Sequence, residues 1–328
     1  MNTMHGWQQT GPGGTDTLFW GELPRPRPGR GELLVRVKAA GINRADIVQR
    51  EGRYPAPAGV TPVLGLEVAG EVVEVGEGAG TWQVGDAVFG LVAGGAYAEY
   101  VLLEAELALA KPESLDWAEA ASLPEAWMTA WLNLVVLGGL TAGTRLLIHA
   151  GASGVGAAAI QLGRLFGAEA VYATAGGPHK TDFCRQLGAT LALDYRTEPD
   201  FGARLKALGG VDLILDPVGA DYLERNLSAL RPDGRLVLIG LMGGANSTIS
   251  LGTMLVKRLS LLGSTLRALP VERKMPLAQA LRERVLPWLL AGQARLTIDR
   301  RFGFGELAAA HRYMEDNANL GKLVLVAP

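Results

Sequence analysis

Between Leu33 and Leu109 apolar and polar residues alternate in short runs, among them Leu33-Leu34-Val35-Arg36-Val37-Lys38-Ala39 and Val68-Ala69-Gly70-Glu71-Val72-Val73-Glu74-Val75, separated by glycine and proline. Alternation broken by turn formers predicts strands, so this part of the chain reads as β-rich. From about Ser122 the pattern changes. Helix-length segments now alternate with short apolar runs at Leu146–Ile148, Val171–Ala173, Ala192–Asp194, Leu213–Leu215 and Arg235–Ile239, which predicts a parallel sheet with helices on both faces. The apolar stretch Trp127–Leu140, interrupted by Thr129 and Asn133, is shorter than the ~20 residues of a membrane span and predicts a buried helix. Near the C-terminus, helical patterns around Met275–Ala291 and Phe304–Asn317 precede a strand at Lys322–Val326. None of these extends the parallel sheet. A first domain of residues 1–124 to which 268–328 return, with a second domain at 125–267, accounts for that order.

The sharpest local signal follows the run Leu146-Leu147-Ile148. There the turn Gly151-Ala152-Ser153-Gly154-Val155-Gly156 leads into a helix whose apolar positions are Val155, Ala159, Leu162 and Phe166. Glycines at a strand-to-helix turn admit a pyrophosphate close to the backbone, and the helix N-terminus offers free N–H groups and partial positive charge. The expected ligand is NAD(P). Gly151 and Gly156 satisfy the G-x-G-x-x-G pattern at its ends, while Ser153 stands at its middle glycine.

Composition narrows the function further. A chain of 328 residues predicts about two domains. With 31 Lys plus Arg against 33 Asp plus Glu, the net charge of -2 supplies no general attraction to nucleic acid or anionic lipid. The single cysteine, Cys184, excludes an intrachain disulfide and a four-cysteine zinc site. Phe183 and Leu187 beside it mark a packed thiol rather than a nucleophile. The polar, glycine-rich start of the chain carries no targeting pattern, so a cytoplasmic protein is expected.

Several strings then converge on one family. Gly41-Ile42-Asn43-Arg44-Ala45-Asp46, Gly65-Leu66-Glu67, Val84-Gly85-Asp86, Pro124-Glu125-Ala126-Trp127-Met128-Thr129-Ala130, the glycine turn and Asn319-Leu320-Gly321-Lys322 resemble the medium-chain dehydrogenase/reductase superfamily. Within it the chain resembles the zinc-free quinone oxidoreductase (zeta-crystallin) branch. It is most similar there to the tumour-suppressor-inducible quinone oxidoreductases, through Gln49-Arg50-Glu51-Gly52-Arg53-Tyr54, Ile148-His149-Ala150-Gly151 and Gly240-Leu241-Met242-Gly243-Gly244. The resemblance implies an α/β protein: a GroES-like β-rich catalytic domain, a Rossmann doubly wound parallel sheet, and an active-site cleft where they join. It also implies a homodimer formed through the edge strand near 259–265.

Site residues carry over by motif. Asn43, Tyr54 and Thr129 are expected at the acceptor, and their amide, phenol and hydroxyl orient a carbonyl without charging it. By themselves Asn43 and Tyr54 read equally well as turn residues. The cofactor is expected to meet Asn43, Thr129, Gly151, Ala152, Ser153, Gly154, Val155, Gly156, Thr174, Gly176, Lys180, Tyr195, Val218, Gly240, Leu241, Met242, Asn319 and Lys322. An NAD-selective site carries Asp or Glu about 20 residues after the turn, to bind the ribose hydroxyls. This chain has Thr174-Ala175-Gly176-Gly177 there, with Lys180 following, so NADPH is the expected cofactor. The resemblance assigns the phosphate to Lys180 and the adenosine side to Tyr195. A departure is Gly177, where relatives often carry serine.

Zinc-dependent members of the superfamily place a cysteine in the segment Gly41-Ile42-Asn43 and a histidine before Glu67. Both ligands are missing, and His5, His149, His179 and His311 are scattered, so no metal is expected. Glu67 then reads as a lone structural carboxylate, and no carboxylate pair is evident. His149 reads as an orienting or core histidine. Without a Lewis acid, alcohol oxidation lacks a means of lowering the hydroxyl pKa, whereas a quinone accepts hydride readily. The expected function is NADPH-dependent reduction of small quinones. Alternatives are an NADPH-dependent enone or enoyl-thioester reductase and a non-catalytic NADPH-binding protein.

Overall fold

The strand Lys322–Val326 pairs antiparallel with Glu32–Ile42, setting Leu323 opposite Ile42 and Val326 opposite Ala39, and so returns the C-terminus to the β-rich part of the chain. The computed structural model describes residues 2–328. The chain forms two compact units, Met1–Met128 with Arg267–Pro328, and Thr129–Leu266.

In the first unit a seven-stranded sheet runs in the order Ile298–Gly303, Lys322–Val326, Glu32–Ile42, Glu67–Val75, Ala87–Leu91, Ala108–Ala110, with Tyr100–Glu104 also pairing with Glu32–Ile42. Its alternating apolar positions, Leu33, Val35, Val37, Val68, Val72, Val88, Leu323 and Leu325 among them, converge on one core. A separate two-stranded ribbon joins Thr3–Gln9 to Leu18–Pro24. The unit ends later at Met128, and resumes earlier at Arg267, than the expected boundaries of 124 and 268. Both junctions are tied to its own residues: Glu125 N–H donates to Glu67 Oε2 (2.8 Å), and Arg267 donates to the Ala93 carbonyl (2.6 Å) and to Gln49 Oε1 (2.7 Å).

The second unit is a six-stranded sheet, in order Leu191–Asp194, Ala170–Ala175, Arg145–Ile148, Val211–Asp216, Leu230–Leu238, Ser260–Gly263, every pairing parallel. Chain order reverses between Arg145–Ile148 and Val211–Asp216. Such a switch point opens a crevice at the carboxyl ends of the strands. Leu146, Leu147, Ile148, Leu213, Ile214 and Leu215 are all buried, which is why these strands read as unbroken apolar runs.

The stretch Trp127–Leu140, expected as one buried helix, is instead the end of an α-helix, Pro124–Trp131, followed by a π-helical turn at Leu132–Leu137, on which Val136 is exposed. Asn133 Nδ2 donates to the Thr129 carbonyl, the acceptor a regular turn gives to the Asn133 N–H, and Gly138 N–H reaches five residues back to Asn133 O. Among the described residues no helix is long and apolar enough to cross a membrane.

Candidate functional site

The glycine turn lies at the switch point of the second unit. Ala150 takes φ +51°, Gly151 N–H donates to Thr174 O (2.9 Å), and Ser153 N–H donates to Ala150 O (2.9 Å). Ser153 is the N-cap of the helix Gly154–Leu165: its φ is −79° and its Oγ accepts the Gly156 N–H at 3.0 Å. The middle place of the fingerprint therefore needs no glycine here. The other two do. A Cβ at Gly156 would stand 2.3 Å from Ala150 O, and one at Gly151 would stand 2.8 Å from Cys184 Sγ and 2.9 Å from Ala173 Cβ. Gly154 and Val155 begin the helix, Ala152 is buried under the turn, and the first-turn N–H groups suit an anion.

At the end of Ala170–Ala175 the backbone of Gly176 and Gly177 is flanked by two side chains. A Cβ on Gly176 would meet Tyr195 Oη at 2.5 Å and Arg196 Nε at 3.1 Å; Gly177, with φ +91°, faces Arg196 Nη1. Lys180 is half-buried in the helix Pro178–Gln186. Asp194 turns its Oδ1 onto the Gly177 and Arg196 N–H groups (both 3.0 Å), which hold its carboxyl below the usual range. Arg196, missed in the sequence, adds a cation beside the Gly176–Gly177 segment. Its only signal was adjacency to Tyr195. Thr174, expected to contact the cofactor, is buried with its hydroxyl against His149 Nδ1 (2.8 Å). Its carbonyl supports the turn by accepting the Gly151 N–H, while its hydroxyl faces inside the protein.

Val218, Gly240, Leu241 and Met242 lie on one pair of turns. Gly243 N–H donates to Val218 O (2.7 Å) and Met242 N–H to Pro217 O (3.2 Å), while a Cβ at Gly240 would crowd Pro217 O at 2.8 Å. Leu241 and Met242 are exposed. Thr129 is half-buried, its carbonyl taken by Asn133.

In the first unit Asn43 caps the helix Arg44–Arg50, its N–H donating to Asp46 Oδ2 (2.8 Å). Its side chain joins Glu67 and Lys322: Asn43 Nδ2 donates to Glu67 Oε1 (2.9 Å), and Lys322 Nζ donates to Asn43 Oδ1 (2.7 Å), Ile42 O (3.2 Å) and Glu67 Oε1. An ammonium has three N–H donors. All are used in this pocket, where Lys322 and Glu67 are both buried, so the ammonium of Lys322, expected at the cofactor, serves here as a buried counter-ion. Glu67 is likewise not a lone carboxylate. Gly41 makes room for it, since a Cβ there would lie 2.0 Å from Oε1.

Glu67 Oε2 also accepts the Glu125 N–H at 2.8 Å, a neighbour that the sequence did not reveal. Burial, and then the Glu67 charge, push the Glu125 carboxyl up to about 8 against the pull of Lys322. Asp46, fully buried, accepts hydrogen bonds from Asn43 N–H, Gly65 N–H (3.1 Å) and Tyr97 Oη (2.8 Å), yet burial still raises it to about 6. Tyr54 is half-buried with the Arg267 guanidinium 5.6 Å from its ring centroid. Burial and then Glu125 raise its phenol, and Arg267 opposes them. Asn319 is buried and donates to Gly321 O (2.9 Å). The first unit thus gathers a neutral phenol, a carboxyl that keeps its proton at neutral pH, and an amide whose oxygen is already occupied.

Residues 154–283 match the family described as zinc-binding dehydrogenase, and residues 29–113 match the alcohol dehydrogenase GroES-like domain. The synaptic vesicle membrane protein VAT-1 homolog of Mus musculus is 32% identical over 339 residues, covering 97% of this chain and 82% of that protein. Solved structures similar to this chain include the following three. A mycobacterial protein complexed with NADPH has a TM-score of 0.89 at 29% identity (98% and 99% of the two chains covered). A quinone oxidoreductase of Pseudomonas syringae pv. Tomato has 0.88 at 27% (98% and 99%). The CurK enoyl reductase has 0.86 at 30%, with both chains covered fully (100% and 100%). The zinc in the family description has no donor set here. Among the described residues no cluster of three or more His, Cys, Asp or Glu could hold a metal, and a divalent cation beside Asn43 and Glu67 would face the Lys322 ammonium. A dinucleotide's pyrophosphate suits the turn at Gly151–Gly156, which opens onto the N-terminus of the helix Gly154–Leu165. With a GroES-like unit and a Rossmann unit, the chain belongs to the medium-chain dehydrogenase/reductase superfamily of oxidoreductases.

Proposed function

We propose that this oxidoreductase is an NADPH-dependent reductase of small quinones that works without a metal, within the zinc-free quinone oxidoreductase branch of its superfamily. The observation that carries the reading is the buried ammonium of Lys322 on Asn43 and Glu67, which takes up the donors a Lewis acid would need. A quinone needs none, since it gains aromatic character on reduction and its oxygens need only orientation and a proton. Bound NADPH supplies the hydride. Lys180 and Arg196 take its 2′-phosphate, and the Ser153–Gly156 turn takes the pyrophosphate. Thr129, Val218 and the Gly240–Met242 turn hold the nicotinamide end. Tyr54 and the remaining N–H of the Asn43 amide orient the acceptor carbonyl, and Tyr54 passes a proton to its oxygen.

One observation favours a second reading. Glu125, pushed up to about 8 by burial and the Glu67 charge, retains a proton at neutral pH, and burial raises the Tyr54 phenol, so this unit holds the kind of proton that an alkene carbon needs after hydride addition. Enone or enoyl-thioester reduction then becomes the activity, in line with the likeness to the CurK enoyl reductase. Steady-state oxidation of NADPH and of NADH with 1,2-naphthoquinone and with an α,β-unsaturated aldehyde decides between them. Quinone turnover with NADPH preference supports the first reading. Alkene turnover alone, lost in Tyr54→Phe, supports the second.

A homodimer is part of the proposal. The strand Ser260–Gly263 ends the six-stranded sheet with alternate residues exposed, and the helix Leu251–Lys257 exposes Leu251, Leu255 and Val256. An open edge with apolar neighbours suits pairing with a second copy. A monomeric mass at micromolar concentration would overturn it.

A further inference from the structure

Four buried polar side chains in the second unit form a continuous hydrogen-bonded chain across three adjacent strand ends. Thr174 Oγ lies 2.8 Å from His149 Nδ1, His149 Nε2 lies 2.7 Å from Asn226 Oδ1, and Asn226 Nδ2 donates to Asp216 Oδ2 at 2.9 Å. Asp216 Oδ1 accepts the N–H groups of Val218 (2.6 Å) and Gly219 (3.1 Å). All four side chains are at most 1% exposed. The rings of Phe201 and Tyr222 each lie 4.8 Å from that of His149.

The direction of every hydrogen bond follows from Asp216. An ionised carboxylate only accepts, so Asn226 must turn its NH2 group toward it and its carbonyl oxygen toward His149. His149 must then carry its proton on Nε2. Burial holds the ring well below its ordinary value, at about 4, so the imidazole is neutral and Nδ1 is a bare acceptor. The Thr174 hydroxyl has to donate. The chain is therefore polarised from Thr174 to Asp216.

Its two ends are the two turns assigned to the cofactor. The Thr174 carbonyl holds Gly151 N–H in the glycine turn; Val218 O holds Gly243 N–H beside the Gly240–Met242 segment. Buried polar networks of this kind define one geometry when every member is satisfied. We propose that Asp216, acting through Asn226 and His149, is a positioning residue for the nicotinamide adenine dinucleotide, holding the glycine turn and the Val218–Gly219 turn in the one arrangement that seats both halves of the cofactor. This rests on the reading that the second unit binds a dinucleotide.

The test uses the full chain at pH 8, where Asp216, raised to about 6 by burial, is ionised. In Asp216→Asn the new NH2 group faces that of Asn226, so Asn226 must flip, His149 must move its proton to Nδ1, and Thr174 must become the acceptor. Nitrogen-15 NMR of His149 reads that exchange of tautomers. Calorimetry is expected to show NADPH binding weakened on the order of tenfold, the scale of a misplaced binding group, with 2′,5′-ADP, which uses only one end, nearly unchanged. Asn226→Asp sets two carboxylates face to face and is expected to weaken NADPH similarly. The double variant Asp216→Asn/Asn226→Asp restores a complete donor–acceptor order, so binding and the Nε2–H tautomer should return together. NADPH affinity unmoved by either single change, a His149 tautomer unmoved in Asp216→Asn, or no recovery in the double variant overturns the relay. A wild-type chain that binds neither NADPH nor NADH would defeat the dinucleotide reading itself, whatever the tautomer does.

Discussion

Lys322 Nζ lies 2.7 Å from Asn43 Oδ1, joining the C-terminal strand to the cap of the helix Arg44–Arg50. The same ammonium neutralises Glu67, which otherwise is a charge with no access to water. Removing one member of a buried pair costs about 3–5 kcal/mol because the other is left uncompensated, whereas replacing both by apolar groups is often neutral. Lys322→Met is expected to be destabilised by roughly that amount in urea, and Glu67→Leu/Lys322→Met to recover most of it. Equal stability of the single variant and the wild type would show that the pair is not what holds the strand.

Glu125 makes a prediction about pH. Its folded-state value of about 8 lies above the ordinary 4.5, so the native state binds the extra proton between those values. Its contribution to stability is full below about pH 4.5 and is lost as pH rises through about 8. Asp46 and Asp216 act in the same direction over a lower window, and buried His149 acts oppositely as pH falls below 6.5. Only a difference isolates Glu125: Glu125→Gln should gain stability over the wild type between pH 5 and pH 9. Parallel pH profiles for the two proteins would contradict it.

Cofactor preference is expected to reside in Lys180 and Arg196. Charge-assisted hydrogen bonds to a phosphate are worth about 1.5–3 kcal/mol, or roughly tenfold to somewhat over a hundredfold. Lys180→Ala and Arg196→Ala should each lower kcat/KM for NADPH by about tenfold and leave that for NADH nearly unchanged. Matched losses with both cofactors would point to a structural role instead.

The glycine turn separates two kinds of requirement. Gly156→Ala places a methyl against Ala150 O, at 2.3 Å before any adjustment, and should abolish dinucleotide binding. Ser153→Ala removes only the cap donated to by Gly156 N–H, at about 1 kcal/mol of stability, and should retain binding. Fluorescence titration with NADPH and a thermal melt of each variant distinguish the two effects.

Cys184 is buried, and its thiol is pushed up to about 12 by burial. Since the thiolate is the reactive form, a colorimetric disulfide reagent should label it only after unfolding, at the unfolding rate. Rapid labelling of the native protein would refute this.

Local pattern determined a great deal here. Apolar runs such as Leu146-Leu147-Ile148 and Leu213-Ile214-Leu215 read directly as buried parallel strands, because burial on both faces leaves no polar position to break the run. The glycine turn was legible for a similar reason. Its requirement is steric and lies within a few residues, and even the departure at Ser153 carries its explanation three residues on, at Gly156. Tertiary structure alone decided which charges meet. Glu67 reads as solitary because its counter-ion Lys322 is separated from it by 255 positions, and Arg196 reaches Gly176 and Gly177 only because the strand before it, Leu191–Asp194, pairs with Ala170–Ala175. The Thr174 hydroxyl and the Lys322 ammonium find their partners inside the protein, which their place in the sequence does not disclose. A side chain's chemistry is written in the sequence, but the donors and acceptors that occupy it come from strands brought together by burial, and that pairing exists only in the folded chain.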